Sequence, residues 1–129
     1  MIKVLIIDKT AEHREVLAQA FVEMYCETYC FDDGKVGLDK AKEIRPNLIV
    51  YDGTLEYAAP DFANDAVREF DPDGDAKDRP YMVLLTASPN RKQRVLCEEM
   101  GFNEYAAKPT TIETLKSWVS KSVNSKKTS

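Results

Sequence analysis

The 129-residue sequence predicts one α/β domain, with five parallel strands held between two layers of helices. Three observations predict it. Short apolar segments alternate five times with longer segments whose apolar residues recur at helical spacing. The short segments are apolar on both faces, as strands buried between helix layers are. The length, with 43% hydrophobic and 31% charged residues, suits a single domain that buries roughly two thirds of its unfolded surface.

Lys3–Ile7 is a β-branched run that ends in Asp8 and reads as a buried strand. A helix follows, with Thr10 as its N-cap and Val16, Leu17, Ala20, Phe21 and Met24 on one face. Glu27–Phe31 is the second strand. Asp33 and Gly34 open a helix with Leu38, Ala41 and Ile44 inward, which stops at Arg45 because Pro46 disfavours helical geometry before it. Leu48 to Tyr51 is the third strand and ends in Asp52. Residues 53–60 read as a loop, and 61–70 as a helix with Phe62, Ala66, Val67 and Phe70 inward. Residues 71–79 form an acidic, turn-rich linker. Tyr81 to Leu85 is the fourth strand, ending in Thr86.

Arg91–Met100 is a helix, capped by Asn90 and stopped by Gly101. Glu104–Ala107 is the fifth strand and runs into Lys108 and Pro109. The last helix starts at Thr110 or Thr111, with Ile112, Leu115, Trp118 and Val119 on one face. Thr110 and Glu113 have capping-box spacing. This alternation gives a doubly wound, three-layer α/β/α domain over 1–123, with the flavodoxin-like strand order 2-1-3-4-5. Residues 124–129 read as a frayed polar tail.

Composition excludes several function classes. The net charge of −4 makes general nucleic-acid binding a poor fit, since phosphate affinity rests on basic side chains. No apolar run approaches the roughly 20 residues of a membrane span, and no signal peptide opens the chain, so the expectation is a cytoplasmic protein without a membrane role. Three cysteines, Cys26, Cys30 and Cys97, are an odd count that suits free thiols in packing roles. Asp71 to Asp75 resembles the opening of a calcium loop, but Ala76 and Met82 stand where that loop needs Gly and Glu. His13 is the only histidine, and it reads as a solvated or pocket-rim residue near the start of the first helix.

In open parallel sheets, function gathers outside the carboxyl ends of the strands. Four of those ends carry Asp8, Asp52, Thr86 and Lys108. One strand-end acid alone is more often a helix cap than a catalyst. Four reactive groups converging on one edge suit phosphoryl transfer to a carboxylate: an Asp nucleophile forms an acyl phosphate, and a lysine and a hydroxyl bind its oxygens. Charge-assisted hydrogen bonds of that kind contribute about 1.5–3 kcal/mol each.

The segments Val4 to Asp8, Arg45 to Asp52, Val83 to Ala87 and Gly101 to Pro109, in that order, resemble the receiver domain of bacterial two-component response regulators, over nearly the whole chain. The resemblance implies Asp52 as phosphoacceptor, Lys108 as the phosphate-pairing lysine, and Thr86 with Tyr105 as the switch pair. It implies a histidine kinase or phosphotransfer protein as donor. It also implies a downstream protein bound through the fourth helix, fifth strand and fifth helix, over about 91–119. The chain reads as a stand-alone receiver, monomeric or weakly dimeric, and as a signalling domain rather than an enzyme.

The metal site departs from the family's pattern. The resemblance implies Mg²⁺ held by Asp8, Asp52 and the backbone carbonyl of Thr54, but Lys9 stands where the family carries a second acid. Asp8 and Asp52 are then already balanced by Lys9 and Lys108, whereas the family's three carboxylates need the ion. Lys9 either turns inward to the metal's place or extends into solvent. Mg²⁺ affinity is expected to be much weaker than the family's. Glu56, where the family has proline, reads as loop or as a substitute ligand.

Two further readings follow from the same features. One is a degenerate receiver that binds partners without phosphorylation. The other is a haloacid-dehalogenase-type phosphatase, which needs a second Asp where Thr10 stands and leaves Asp52 unexplained. Flavin binding is disfavoured because 8–13 has no glycine to cradle phosphate.

Overall fold

A computed structural model of the chain describes residues 1–53, 59–74 and 79–127. Its elements run β1 (Lys3–Ile7), α1 (Ala11–Glu23), β2 (Glu27–Phe31), α2 (Gly34–Ile44), β3 (Leu48–Asp52), α3 (Ala59–Phe70), β4 (Tyr81–Thr86), α4 (Arg91–Met100), β5 (Glu104–Ala107) and α5 (Ile112–Lys127). The strands are parallel in the order β2-β1-β3-β4-β5, as the alternation predicts. The strand order reverses between β1 and β3, and that switch point is where such sheets bind ligands.

Side chains alternate across a strand, and here the alternation divides the core in two. Leu5, Ile7, Ile49, Tyr51, Met82, Leu84 and Tyr105 face α2, α3 and α4, packing with Leu38, Phe62, Phe70 and Cys97. Val4, Ile6, Leu48, Val50, Val83 and Leu85 face α1 and α5, packing with Leu17, Phe21, Leu115 and Trp118. Both faces are dry, which is why the strand sequences are continuous apolar runs instead of alternating ones.

Helix ends follow local chemistry. Asp33 caps α2 by accepting from the Lys35 N–H, and Asn90 caps α4 by accepting from the Gln93 N–H. Arg45 ends α2 in the left-handed region at φ 54°. Thr10 holds the N-cap position of α1, but its side chain makes no capping hydrogen bond. Thr111, not Thr110, caps α5, through its Oγ1 and the Thr114 N–H. Helical backbone continues to Lys127, through most of the stretch read as a frayed tail. At the other disputed boundary, α3 begins at Ala59, inside the expected loop, with Pro60 tolerated in its first turn.

Two apolar helix positions are corrected. Val16 is 67% exposed, and Ile112 also lies open. Only Leu17 and Phe21 of α1 are fully buried, so its core stripe is narrower than the spacing of apolar residues suggests. The three cysteines are free, as expected. Burial pushes the Cys97 thiol up to about 12, which makes it a poor nucleophile.

Gly101 shows how tightly α4 is joined to β5. It stops the helix at φ 110°, a conformation that disfavours any side chain. A Cβ there would stand 2.6 Å from Val67 Cγ2 and 3.0 Å from Arg79 Nη2, and Arg79 already donates to the Gly101 carbonyl. Gly101→Ala is expected to destabilise the fold by about 1–3 kcal/mol, measured by chemical denaturation.

Candidate functional site

Strand register assembles the site. Ile7 pairs with Tyr51, so Asp8 leaves β1 beside Asp52 at the end of β3. Asp52 pairs with Leu85, and Thr86 pairs with Ala107, which brings Thr86 and Lys108 to the same edge. Parity then sorts them. Asp8, Asp52 and Lys108 continue the rows that face α1 and α5, whereas Thr86 continues the row of Met82 and Leu84, which faces Tyr105 and α4.

Asp8 is 1% exposed and bonded on every side. Its backbone N–H donates to the Phe31 carbonyl at 3.0 Å, and its own carbonyl accepts from Arg14 Nη1 at 2.6 Å. Oδ1 accepts from the Thr10 N–H at 2.9 Å, and Oδ2 is in direct contact with His13 Nδ1. Thr10 therefore secures Asp8 through its backbone instead of capping α1 through its hydroxyl.

Asp52 Oδ2 lies 2.5 Å from Lys108 Nζ and 3.0 Å from His13 Nδ1. These are ion-pair distances, and among the described residues no donor meets that oxygen with hydrogen-bond geometry. Burial raises the Asp52 carboxyl above the usual aspartate range, and neighbouring Asp8 adds to the rise, while Lys108 opposes it. The carboxylate is thus both desolvated and held by a cation. Lys108 reaches it from the turn after β5, where the Lys108 N–H donates to the Thr86 carbonyl at 2.9 Å and the following bond to Pro109 is cis.

Thr86 is buried, and its Oγ1 accepts from the Ser88 N–H at 3.1 Å. Tyr105 is also buried. Its hydroxyl accepts from the Asn90 N–H at 3.1 Å and donates to Gln93 at 3.2 Å, and Arg94 lies over its ring. The structure therefore joins Asp8, Asp52 and Lys108 in one cluster and ties Tyr105 to the start of α4.

Lys9 is exposed. The group standing between the two acids is His13, deeper than the solvated or pocket-rim position its place in the sequence predicts. Its placement follows from its position on the first turn of α1, whose face is turned to the row that ends in Asp8 and Asp52. Thr54 and Glu56 lie outside the described residues.

Asp8, His13 and Asp52 bring one ligand atom each within 4.8 Å of one another. This donor set does not fit Mg²⁺ well. The ion prefers oxygen ligands in an octahedron, and here one donor is an imidazole nitrogen.

No family model matches the chain. Among curated proteins it is similar to hybrid signal transduction histidine kinase D of Dictyostelium discoideum, 28% identical over 112 residues, which are 87% of this chain and 7% of that protein. The chain thus spans a small fraction of that relative. Among solved structures it is similar to a response regulator receiver domain protein from Clostridium thermocellum, with TM-score 0.82, 18% identity and 98% of each chain covered. It is similar also to chemotaxis protein CheY4 of Vibrio cholerae, with TM-score 0.78, 23% identity, and 94% of this chain and 98% of that one covered. The fold is that of response-regulator receiver domains. Among the described residues no helix is long and apolar enough to cross a membrane.

Proposed function

We propose that this chain, built on the receiver fold, accepts a phosphoryl group on Asp52 and changes its partner affinity in response. The observation that carries the reading is the Lys108–Asp52 pair at 2.5 Å beside buried Asp8, on the edge where this sheet type places its chemistry. Asp52 attacks phosphorus through the carboxylate oxygen not held by Lys108 and His13. The bond from phosphorus to the donor breaks, P–N in a phosphohistidine or P–O in acetyl phosphate, and the leaving group departs with the electron pair. Lys108 then pairs with the new phosphoryl oxygens.

The donor is a histidine kinase or phosphotransfer protein. The response is a population shift between two conformers, with Thr86 moving towards the phosphate and the 91–119 surface changing its partner affinity. The chain is a signalling domain, not an enzyme with a separate substrate.

The test is incubation of purified protein with acetyl phosphate, read by intact mass. A gain of one phosphoryl group, absent in Asp52→Asn, supports the reading. No gain in any ionic condition favours a receiver fold that binds partners without phosphorylation, the reading to which Lys9 lends weight.

A separate readout follows from the raised carboxyl of Asp52. In a carbon-13 carboxyl titration by NMR, Asp52 is expected to protonate at higher pH than the exposed aspartates. Its competence as a nucleophile is accordingly full above that midpoint and lost as pH falls through it. A midpoint level with the exposed aspartates would count against a desolvated acceptor.

A further inference from the structure

The aspartyl-phosphate reading gives no task to His13, although His13 contacts both acids of the pocket. We propose that His13 occupies the place of the divalent cation in this pocket, so that Asp52 is phosphorylated without metal; the second half rests on the acceptor reading above.

Three observations carry this. The first is position: Nδ1 lies against Asp8 Oδ2 and 3.0 Å from Asp52 Oδ2, between the two carboxylates that an ion would bridge. Asp8 Oδ2 is an acceptor, so the ring nitrogen is the donor in that contact, and its approach to Asp52 Oδ2 is electrostatic.

The second is occupancy. Asp8 Oδ1 accepts from the Thr10 N–H, and Asp52 Oδ2 lies within ion-pair distance of Lys108 and His13. An entering ion would have to displace the imidazole from between the two acids.

The third is charge. The residue in the missing acid's place, Lys9, is exposed and adds no ligand. Lys108 already offsets one of the two acids, so a divalent ion would leave the pocket with excess positive charge.

A bridging cation has two tasks in such a transfer. It holds two acids together, and it offsets charge on the incoming phosphoryl group. His13 does the first through Nδ1. Its side chain is 26% exposed, so the ring borders the opening through which a donor arrives. The reaction balances without a proton: the Asp52 carboxylate bonds to phosphorus, the P–O bond to acetate breaks, and acetate leaves with the pair.

The experiment compares wild type, His13→Ala and the double variant Lys9→Asp/His13→Ala, all first checked for melting temperature. Amide NMR during MgCl₂ and MnCl₂ titration reads ion binding, and intact mass after acetyl phosphate, in EDTA or in Mg²⁺, reads phosphorylation. Wild type is expected to show no saturable ion binding and equal phosphorylation in both buffers. His13→Ala should lose about 10- to 100-fold of the EDTA rate. The double variant should bind Mg²⁺ and regain phosphorylation only with it.

Saturable Mg²⁺ or Mn²⁺ binding at Asp8 and Asp52 of wild type overturns the proposal, whether or not His13→Ala weakens it. A folded double variant that still binds no ion also overturns it. If no protein gains mass in any buffer, yet wild type excludes ions and the double variant binds them, the acceptor reading fails and His13's occupancy of the cation site stands.

Discussion

Asp52→Asn is expected to abolish phosphorylation by acetyl phosphate, by more than about a thousandfold in rate, while leaving the fold intact. The first half follows from chemistry. An amide lacks the negative charge of a carboxylate and is a far weaker nucleophile, and Asp8, the next acid, is engaged on both oxygens by Thr10 and His13. The second half follows from linkage. Burial raises the Asp52 carboxyl, so its charged form is less favourable in the folded than in the unfolded state. That penalty is present at neutral pH and disappears as pH falls through the raised value. Asn keeps the side-chain size and lacks the penalty, so the melting temperature should hold. A variant that is silent and unfolded would show nothing about the acceptor. One that is folded and still gains a phosphoryl group would move the acceptor elsewhere.

The acids were legible because strand ends are legible. Val4 to Ile7 and Leu48 to Tyr51 can only be dry strands, and once both are parallel neighbours their next residues, Asp8 and Asp52, share an edge. Lys108 follows by the same logic from β5. His13 was not legible in this way, because it approaches across the gap between β1 and α1. Its meeting with Asp52 depends on how α1 sits over the sheet, and neither periodicity nor spacing encodes that. The same cause explains Val16. A stripe of apolar residues shows that a face exists, but packing against the α1/α5 side of the sheet chooses Leu17 and Phe21 and leaves Val16 in solvent. Capping at α5 failed at a finer scale: Thr110 and Thr111 both precede the helix, and one residue of phase decides which hydroxyl meets a free N–H.

Trp118→Ala is expected to cost about 3–5 kcal/mol, a large share of the 5–15 kcal/mol that holds such a domain together, and to lower the melting temperature by about 10–20 °C. Trp118 is fully buried at the centre of the α1/α5 side of the core. Its Nε1–H donates to Glu104 Oε2 at 2.5 Å, and Glu104 Oε1 also accepts from the Tyr81 hydroxyl at 2.8 Å and from Lys121 Nζ at 3.0 Å. These donors hold the Glu104 carboxyl below its usual range against the opposing effect of burial. Its contribution to stability is therefore complete above the unfolded-state value and is lost as pH falls from there through the lowered folded value. Glu104→Gln should flatten that acid limb in a melting-temperature profile, and an unchanged limb would remove Glu104 from the account. Trp118→Phe separates packing from hydrogen bonding, since it keeps most of the volume and drops the donor. The network ties β4, β5 and α5 together on one side of β5, while Tyr105, the next residue along that strand, ties β5 to α4 on the other. Loosening Trp118 should therefore raise hydrogen exchange at both ends of the 91–119 surface, the one proposed to read out phosphorylation. A loss confined to α5 would mean that its two halves are mechanically independent.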